Sequence, residues 1–241
     1  MERIKTGVYG LDETINGGFP KESITLVSGP PGSGKSIFAY QFINRGLKEG
    51  ERCLLISLDR KERKILMQAE EMNFAFKNAV EEGKLRIFYV DVNKRYIYEE
   101  IIREITSGAY DRIVIDPITP LAETPFYVKD ITLSDDINFI DAEDFSIMNE
   151  DIPLKRLHLR YIMDAIESTG CTAVITSEAS FDSSGASRDT ISEFLADGVI
   201  FLNFDPAMDR RKLTVLKMRN TRHTLKTQNI VINNDGIQLM K

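Results

Sequence analysis

The sequence has little cysteine and histidine and no tryptophan. Its 241 residues include two Cys and two His. Cys53 and Cys171 each open a short apolar run, and free cysteine is among the most buried residue types, so we expect both in the core. Two isolated Cys and the distant His158 and His223 give neither a zinc-binding spacing nor a disulfide framework. This scarcity excludes a small disulfide-stapled protein and favours a reducing compartment.

Long apolar runs are also absent. No run approaches the roughly 20 residues that a membrane-spanning helix needs. The first residues contain no apolar segment of the kind found in signal peptides. Hydrophobic residues make up 42% of the chain and charged residues 28%, which is typical of a globular protein. We therefore expect a soluble, cytoplasmic protein that does not associate with membranes.

The chain also has no excess of basic residues. The formal net charge is −6, which excludes a wholly basic protein that coats nucleic acid. Residues 123–153 hold nine acidic residues and one basic residue, a net charge of −8, so the rest of the chain carries +2. We interpret this segment as an acidic insertion. It is either a solvated surface loop or a lid or docking surface for a protein partner, because loops of this length are often functional.

Short apolar runs alternate with helical patterns along most of the chain. Strands are predicted over 23–28, 53–58, 85–92, 112–116 and 172–176, and helices over 36–48, 61–74, 97–106 and 154–168. Four further strands, over 198–204, 213–218, 229–232 and 237–240, follow one another as expected for antiparallel pairing. The pattern predicts one α/β domain over residues 1–241, with a mainly parallel central sheet flanked by helices and an antiparallel C-terminal extension.

A phosphate-binding motif follows the first of these strands and opens a helix. Its residues match the pattern G-x-x-x-x-G-K-[ST] and are Gly29, Pro30, Pro31, Gly32, Ser33, Gly34, Lys35 and Ser36. Glycines allow the backbone to wrap around phosphates, and the unpaired N–H groups of a helix N-terminus attract anions. Lys35 supplies a cation to the β- and γ-phosphates, and the Ser36 hydroxyl is placed to bind Mg²⁺. The motif predicts that the cofactors are ATP and Mg²⁺.

Asp116 is the candidate for the second half of this site. It ends the apolar run Ile113–Ile115, where an ionised carboxylate is costly unless a cation compensates it. Phosphate-transferring sites of this kind hold Mg²⁺ with such an acid. The alternative interpretation is an Asp that caps a helix before Pro117.

Further motifs extend the comparison over most of the chain. They are RIKTGVYGLD at 3–12, GGFP at 17–20, Gly46-x-x-x-Gly50-Glu51, EFLADGV at 193–199 and KMRNTRH at 217–223. Together with the phosphate loop, these motifs resemble the KaiC-like branch of the RecA/RadA superfamily of ATPases. Only the acidic insertion falls outside the resemblance. One ATPase domain is present, whereas the clock protein of that family has two in tandem.

The resemblance implies a RecA-like P-loop core that assembles into rings, typically hexamers, with ATP between neighbouring subunits. It implies that Lys217 and Arg219 reach the γ-phosphate of the adjacent subunit's ATP, with His223 at the end of the same nucleotide-binding motif. Residues 210–226 contain seven basic residues and no acidic one. Without the resemblance, a solvated basic hairpin would explain that run equally.

The sequence departs from the family pattern where two adjacent glutamates usually activate the attacking water. Asp59 and Arg60 stand there instead. Asp is one methylene shorter than Glu, and Arg cannot act as a base, although it can pair with Asp59 or with a phosphate. Catalysis therefore depends on Lys35, Asp59 and Asp116, and we expect any hydrolysis to be slow. Pro117 is a second departure, because the family more often has Ser there.

Two other positions have open interpretations. Ser177 or Glu178, at the end of the strand 172–176, is either a sensor of the γ-phosphate or a cap for the next segment. Residues 180–188 look like a flexible loop that in the superfamily can meet DNA, but Arg188 alone supports this weakly.

Three functions are compatible with these observations. The first is an ATP-binding, ring-forming switch with slow hydrolysis. The second is a recombinase paralogue, of the RadA-paralogue type, that binds single-stranded DNA; no basic stretch interleaved with aromatic residues supports it. The third is an interaction module that binds a partner through the acidic insertion and keeps ATP as a structural ligand.

Overall fold

The computed structural model describes residues 1–94, 96–124, 152–179 and 187–240. Its strands are β1 (Arg3–Ile4), β2 (Phe19–Pro20), β3 (Ile24–Gly29), β4 (Cys53–Ser57), β5 (Leu85–Tyr89), β6 (Arg112–Asp116), β7 (Thr172–Glu178), β8 (Gly198–Asp205), β9 (Arg210–Met218), β10 (Gln228–Asn233) and β11 (Gly236–Leu239). Its helices are α1 (Leu11–Thr14), α2 (Lys35–Lys48), α3 (Glu62–Glu71), α4 (Phe76–Glu81), α5 (Ile97–Ser107), α6 (Thr119–Glu123), α7 (Ile152–Thr169) and α8 (Ser192–Leu195).

Nine strands form one sheet in the order β11-β10-β9-β8-β3-β7-β6-β4-β5. The six strands from β8 to β5 are parallel, and β9, β10 and β11 continue the sheet in antiparallel pairing. The predicted α/β class, with a mainly parallel sheet and an antiparallel C-terminal extension, is confirmed. The first of the tail strands, β8, joins the two parts because it pairs in parallel with β3 and antiparallel with β9.

Two hydrophobic layers cover the faces of the sheet. Alternate residues of each strand enter opposite layers, so Leu55 packs with Phe42 of α2 whereas Ile56 packs with Ile162 of α7. All five residues of β4 are buried, as expected for a central parallel strand with helices on both faces. Both cysteines are buried free thiols, as predicted.

The predicted helix over 61–74 is wrong in its extent. In the structure α3 ends at Glu71, and a separate helix, α4, begins beyond the predicted range at Phe76. Asn73 lies between them with a φ of +54°, a left-handed conformation that stops an α-helix. The break allows Phe74 and Phe76 to enter the same core, with their ring centroids 6.0 Å apart.

The basic strand β9 buries only part of its apolar side chains. Leu213 and Val215 are buried, but Leu216 is 42% exposed. The pairing with β8 shifts register between Val199 and Ile200, which adds a residue to β9 and turns Leu216 away from the core.

Candidate functional site

A cleft of about 470 Å³ lies at the carboxyl-terminal edge of the parallel strands. Seven of the predicted site residues line it, namely Pro31, Gly32, Gly34, Lys35, Ser36, Asp59 and Asp116. The strands that deliver them, β3, β6 and β4, all end at this edge, with β7 between β3 and β6. Open parallel sheets bind ligands outside the carboxyl ends of their strands, so the topology alone brings these residues together.

The phosphate loop connects the end of β3 at Gly29 to the start of α2 at Lys35. Gly34 precedes the helix with a φ of +106°, and a Cβ there would come 2.9 Å from Ile232 Cδ1. Glycine is therefore favoured at this position mainly by the backbone conformation, because the terminal methyl group of Ile232 can move aside. No side chain among the described residues caps α2 at its N-terminus, so its first N–H groups remain available to an anion.

The Lys35 ammonium group is held by its own loop. It donates hydrogen bonds to the carbonyl oxygens of Gly29 (2.8 Å) and Pro30 (3.1 Å). Burial lowers the pKa of Lys35, and the carboxylates of Glu178 and Asp116 oppose that shift. Its acceptors are neutral carbonyls, which a phosphate oxygen can replace with a stronger, charge-assisted bond.

Asp116 is buried at the end of β6, with 3% of its surface exposed. Burial raises the pKa of its carboxyl group, and hydrogen bonds from the hydroxyls of Thr176 and Ser36 partly offset that effect. Thr176 Oγ1 lies 2.5 Å from Asp116 Oδ1. The Asp116 side chain accepts a bond from β7, whereas the residue at the N-terminus of α6 is Ile118. The helix-capping interpretation of Asp116 is therefore not supported.

Asp59 and Arg60 follow β4, and both line the cleft. Arg60 Nε lies 3.5 Å from Asp59 Oδ2, with the side chains 39% and 47% exposed. Ser57 Oγ lies 3.4 Å from Asp59 Oδ1 and accepts a hydrogen bond from the backbone N–H of Arg60 at 3.2 Å. The Arg60 guanidinium also donates to Gln68 Oε1 of α3 at 2.6 Å. The cation at this position thus lines the site next to Asp59, the acid that is predicted to serve as the base.

The two candidate sensor residues on β7 have different positions. Glu178 lines the cleft and pairs with Arg188, whose Nη1 lies 3.3 Å from Glu178 Oε2. Ser177 is fully buried, and its hydroxyl lies 3.4 Å from Thr119 Oγ1 and from Asp189 Oδ2. Only Glu178 therefore has access to a ligand in the cleft.

Several cleft residues were not identified from the sequence. They are Thr176, which bonds to Asp116, and the lining residues Ile37, Gln68, Arg211 and Ile232. Arg211 belongs to the basic run of β9, so its charge was visible but its position was not. Gln68 and Ile232 are single residues on α3 and β10 that match no motif, and only the tertiary fold places them beside the phosphate loop.

Lys217 and Arg219 do not line the cleft of their own chain. Lys217 pairs with Val199 of β8, which pairs with Leu26 of β3, three residues before the phosphate loop begins. The Lys217 ammonium donates to the carbonyl oxygens of Glu193, Phe194 and Ala196, and burial lowers its pKa.

The two other members of the same motif also have local partners. Arg219 Nη1 lies 3.1 Å from Asp197 Oδ1, and His223 Nδ1 lies 3.3 Å from the carbonyl oxygen of Thr221. All three predicted nucleotide-binding residues of this motif are thus directed away from the phosphate loop of their own chain.

Two predicted features lie largely or wholly outside the described residues. They are the acidic insertion over 123–153, apart from the short segments that adjoin α6 and α7, and residues 180–186 of the predicted loop. Across the part of the chain that the structure describes, no helix is long and apolar enough to cross a bilayer. The same part contains no cluster of three or more His, Cys, Asp or Glu residues arranged to hold a metal.

Comparisons with known proteins agree with the geometry of this cleft. UPF0273 protein MJ1359 of Methanocaldococcus jannaschii is 31% identical over 242 residues, which cover 98% of this chain and 96% of that protein. The circadian clock oscillator protein KaiC of Picosynechococcus is 26% identical over 99% of this chain but only 44% of its own length. The crystal structure of a KaiC-like protein, PH0186 of Pyrococcus horikoshii, superimposes with a TM-score of 0.79 at 29% identity, covering 100% of this chain and 99% of that one.

The family of KaiC ATPase domains matches residues 4–131 and 139–241, and therefore nearly all of the sequence. The fold, the phosphate loop and the buried acid at the end of β6 are all consistent with that match. The chain belongs to the KaiC family of P-loop ATPases.

Proposed function

We propose that this chain binds ATP with Mg²⁺ in the cleft at the end of β3 and acts as a nucleotide-dependent switch with slow hydrolysis. The observation that carries the proposal is the pairing of an intact phosphate loop with an Asp59–Arg60 ion pair in one cleft. Phosphate binding and hydrolysis depend on different residues in such sites, so a protein can keep ATP binding while its hydrolysis is slowed.

Binding of the triphosphate relies on the phosphate loop and Lys35. The N–H groups at the start of α2 and the positive end of its dipole favour an anion at this point. Lys35 exchanges two neutral carbonyl acceptors for phosphate oxygens, which form shorter and stronger bonds with an ammonium group.

The donor set around Asp116 fits Mg²⁺. This ion prefers oxygen ligands and usually takes one or two carboxylates together with phosphate oxygens and water. Ser36 and Asp116 line the same cleft, and the carboxylate bears a burial penalty that a cation would relieve. When bound, Mg²⁺ neutralises charge on the β- and γ-phosphates, and Ser36 and Asp116 are the residues that would hold it.

Slow hydrolysis follows from the chemistry of positions 59 and 60. A general base must come within hydrogen-bond reach of its water, and Asp59 has a shorter side chain than the usual Glu. Arg60 carries no acceptor atom and cannot take a proton, and its charge attracts the carboxylate of Asp59. A protein that retains ATP in this way is suited to control assembly or partner binding by nucleotide state.

Replacing Lys35 with Ala tests the binding site. We expect the affinity for Mg·ATP to fall at least about tenfold, because one charged hydrogen-bond donor to the phosphates is lost. Titration of wild-type and variant protein with fluorescent ATP measures the change. Lys48→Ala, at the far end of the same helix, is the matched control and should leave the affinity unchanged. Equal affinities of wild type and Lys35→Ala would refute the assignment of the site.

The family resemblance and the position of the basic motif support ring assembly, typically as a hexamer. Lys217 binds backbone carbonyl groups and Arg219 binds a carboxylate, and neither residue lines its own cleft. A nucleotide that they contact would therefore be bound to a neighbouring subunit. We expect Mg·ATP to favour the ring. Sedimentation analysis of wild type and of the Lys217→Ala, Arg219→Ala double variant measures this, and a wild-type chain that stays monomeric at saturating Mg·ATP contradicts it.

A further inference from the structure

Arg60 occupies a defined position inside the cleft. Its backbone N–H is fixed by Ser57 Oγ at 3.2 Å, directly after the end of β4. Its side chain lines the same cleft as Gly34, Lys35 and Ser36, so it faces the end of the phosphate loop. The guanidinium group is therefore one of three side-chain cations that line the cleft, with those of Lys35 and Arg211.

The bonds that hold the Arg60 guanidinium are easily exchanged. Nη1 donates to the neutral amide oxygen of Gln68 at 2.6 Å. Nε lies 3.5 Å from Asp59 Oδ2, and both side chains are more than a third exposed. Ion pairs at such exposure contribute little to stability, and a neutral amide oxygen is a weaker acceptor than a phosphate oxygen. A terminal phosphate in the cleft can therefore compete for the guanidinium.

We propose that Arg60 binds the terminal phosphate of a triphosphate held in the cleft of its own subunit and thereby makes the site selective for ATP over ADP. This inference rests on the proposed function, because it requires a nucleotide on the phosphate loop. The planar guanidinium fork matches the oxygen geometry of a phosphate group. ADP lacks the group that Arg60 binds, so with ADP the side chain stays on Gln68 and Asp59.

The same exchange links the nucleotide to α3. Gln68 lies on that helix, and its bond to Arg60 ties α3 to the end of β4. When Nη1 moves to the terminal phosphate, that tie is lost, whereas in the ADP state it is kept. The residue that replaces the usual second Glu thus reports the number of phosphates instead of helping to remove one.

The proposal is tested by comparing the affinity for the β,γ-imido analogue of ATP with the affinity for ADP. Both are measured by calorimetry in the presence of Mg²⁺. We expect wild type to prefer the triphosphate analogue, and Arg60→Ala to reduce that preference at least about tenfold with ADP affinity unchanged. The control is Arg63→Ala, which removes an exposed charge from α3 outside the cleft and should keep the wild-type preference. Arg60→Lys should restore only part of the preference, because an ammonium group lacks the fork.

An unchanged ratio of the two affinities in Arg60→Ala would overturn the proposal. So would an equal loss of both, since that would show a general attraction between the cation and polyphosphate. Failure of the proposed function has a different signature, because then neither nucleotide binds wild type, or Lys35→Ala leaves both affinities unchanged.

Discussion

Replacing Asp59 and Arg60 together with Glu is expected to raise the rate of ATP hydrolysis about a hundredfold. A positioned general base contributes roughly 10²- to 10⁴-fold to such reactions. The double variant restores the adjacent pair of glutamates that the family usually carries, and it removes the cation that now attracts the Asp59 carboxylate. The phosphate loop, Lys35 and Asp116 stay untouched, so Mg·ATP still binds, with the lower affinity that we expect when Arg60 is lost.

The geometry favours this gain of activity. Position 59 lies within the turn that the hydrogen bond from Arg60 N–H to Ser57 Oγ closes, and both 59 and 60 already line the cleft. The Asp59 side chain is 47% exposed, so the extra methylene of a Glu meets no packed core. Arg60 contributes one hydrogen bond to Gln68, and a Glu at position 60 would not form it. The Glu carboxylate and the Gln68 amide would then be solvated, so the substitution does not bury an unpaired charge.

Phosphate release at saturating Mg·ATP measures the effect. The single variants Asp59→Glu and Arg60→Glu separate the effect of a longer side chain at position 59 from the effect of removing the positive charge at position 60. The double variant with Lys35→Ala added serves as the blank for contaminating phosphatases. A double variant that is saturated with Mg·ATP but releases phosphate at the blank rate would show that another group positions the water.

Most of the sheet and half of the cleft could be predicted from the sequence. Parallel strands buried on both faces are continuous apolar runs, so 112–116 was predicted with the bounds of β6. Lys35, Ser36 and Asp116 belong to motifs whose residues are fixed by phosphate and metal chemistry. Their meeting in one cleft follows from the shared direction of the strands.

What could not be predicted depends on tertiary contacts. The apolar pattern continues through Met72 and Phe74, so nothing in it indicated that Asn73 would end α3. Ile232 reaches the phosphate loop only because β10 lies beside β9 at the edge of the sheet. Arg211 enters the cleft for the same reason, and neither residue type is specific to nucleotide binding.

A second large effect is expected at the opposite edge of the sheet, where Arg112 opens β6. Its side chain is fully buried and forms salt bridges with Glu49, at 2.8 Å from Nη2, and with Glu51 at Nε. Nη1 donates to the carbonyl oxygens of Lys5 (2.7 Å) and Phe42 (3.0 Å). This one guanidinium therefore joins the N-terminal segment, the end of α2 and the central sheet.

Replacing Arg112 with Ala should lower the free energy of unfolding by about 3–5 kcal/mol, because it removes one partner of a buried ion network. Urea denaturation followed by circular dichroism measures the change. The matched control is Arg86→Ala on the parallel edge strand β5, where the arginine is 56% exposed and pairs with Glu104. That exposed pair should account for no more than about 1 kcal/mol. Equal losses at the two positions would contradict the role of burial.

Gly46 provides a second test of the same network, because the effect of Gly→Ala on the free energy of unfolding should be opposite in sign to that in an isolated helix. It lies in α2 above Arg112, and a Cβ there would come 2.5 Å from Arg112 Nε and 2.7 Å from Glu51 Oε2. In an isolated helix Gly→Ala stabilises by about 1 kcal/mol. Here we expect Gly46→Ala to destabilise by about 1–3 kcal/mol, because a well-packed site has no room for the methyl group.

The double variant Gly46→Ala, Arg112→Ala separates the two causes. Without the guanidinium the added methyl group has space. Adding Gly46→Ala to Arg112→Ala should therefore not lower the free energy of unfolding further, and should raise it because Ala has the higher helix propensity. The two free-energy changes would then fail to add, by at least about 1 kcal/mol, as expected for residues in contact. Additive changes would mean that Gly46 is required for a reason other than the buried arginine. Non-additive changes would explain the glycine of the G-x-x-x-G-E motif by the charge packed beneath it.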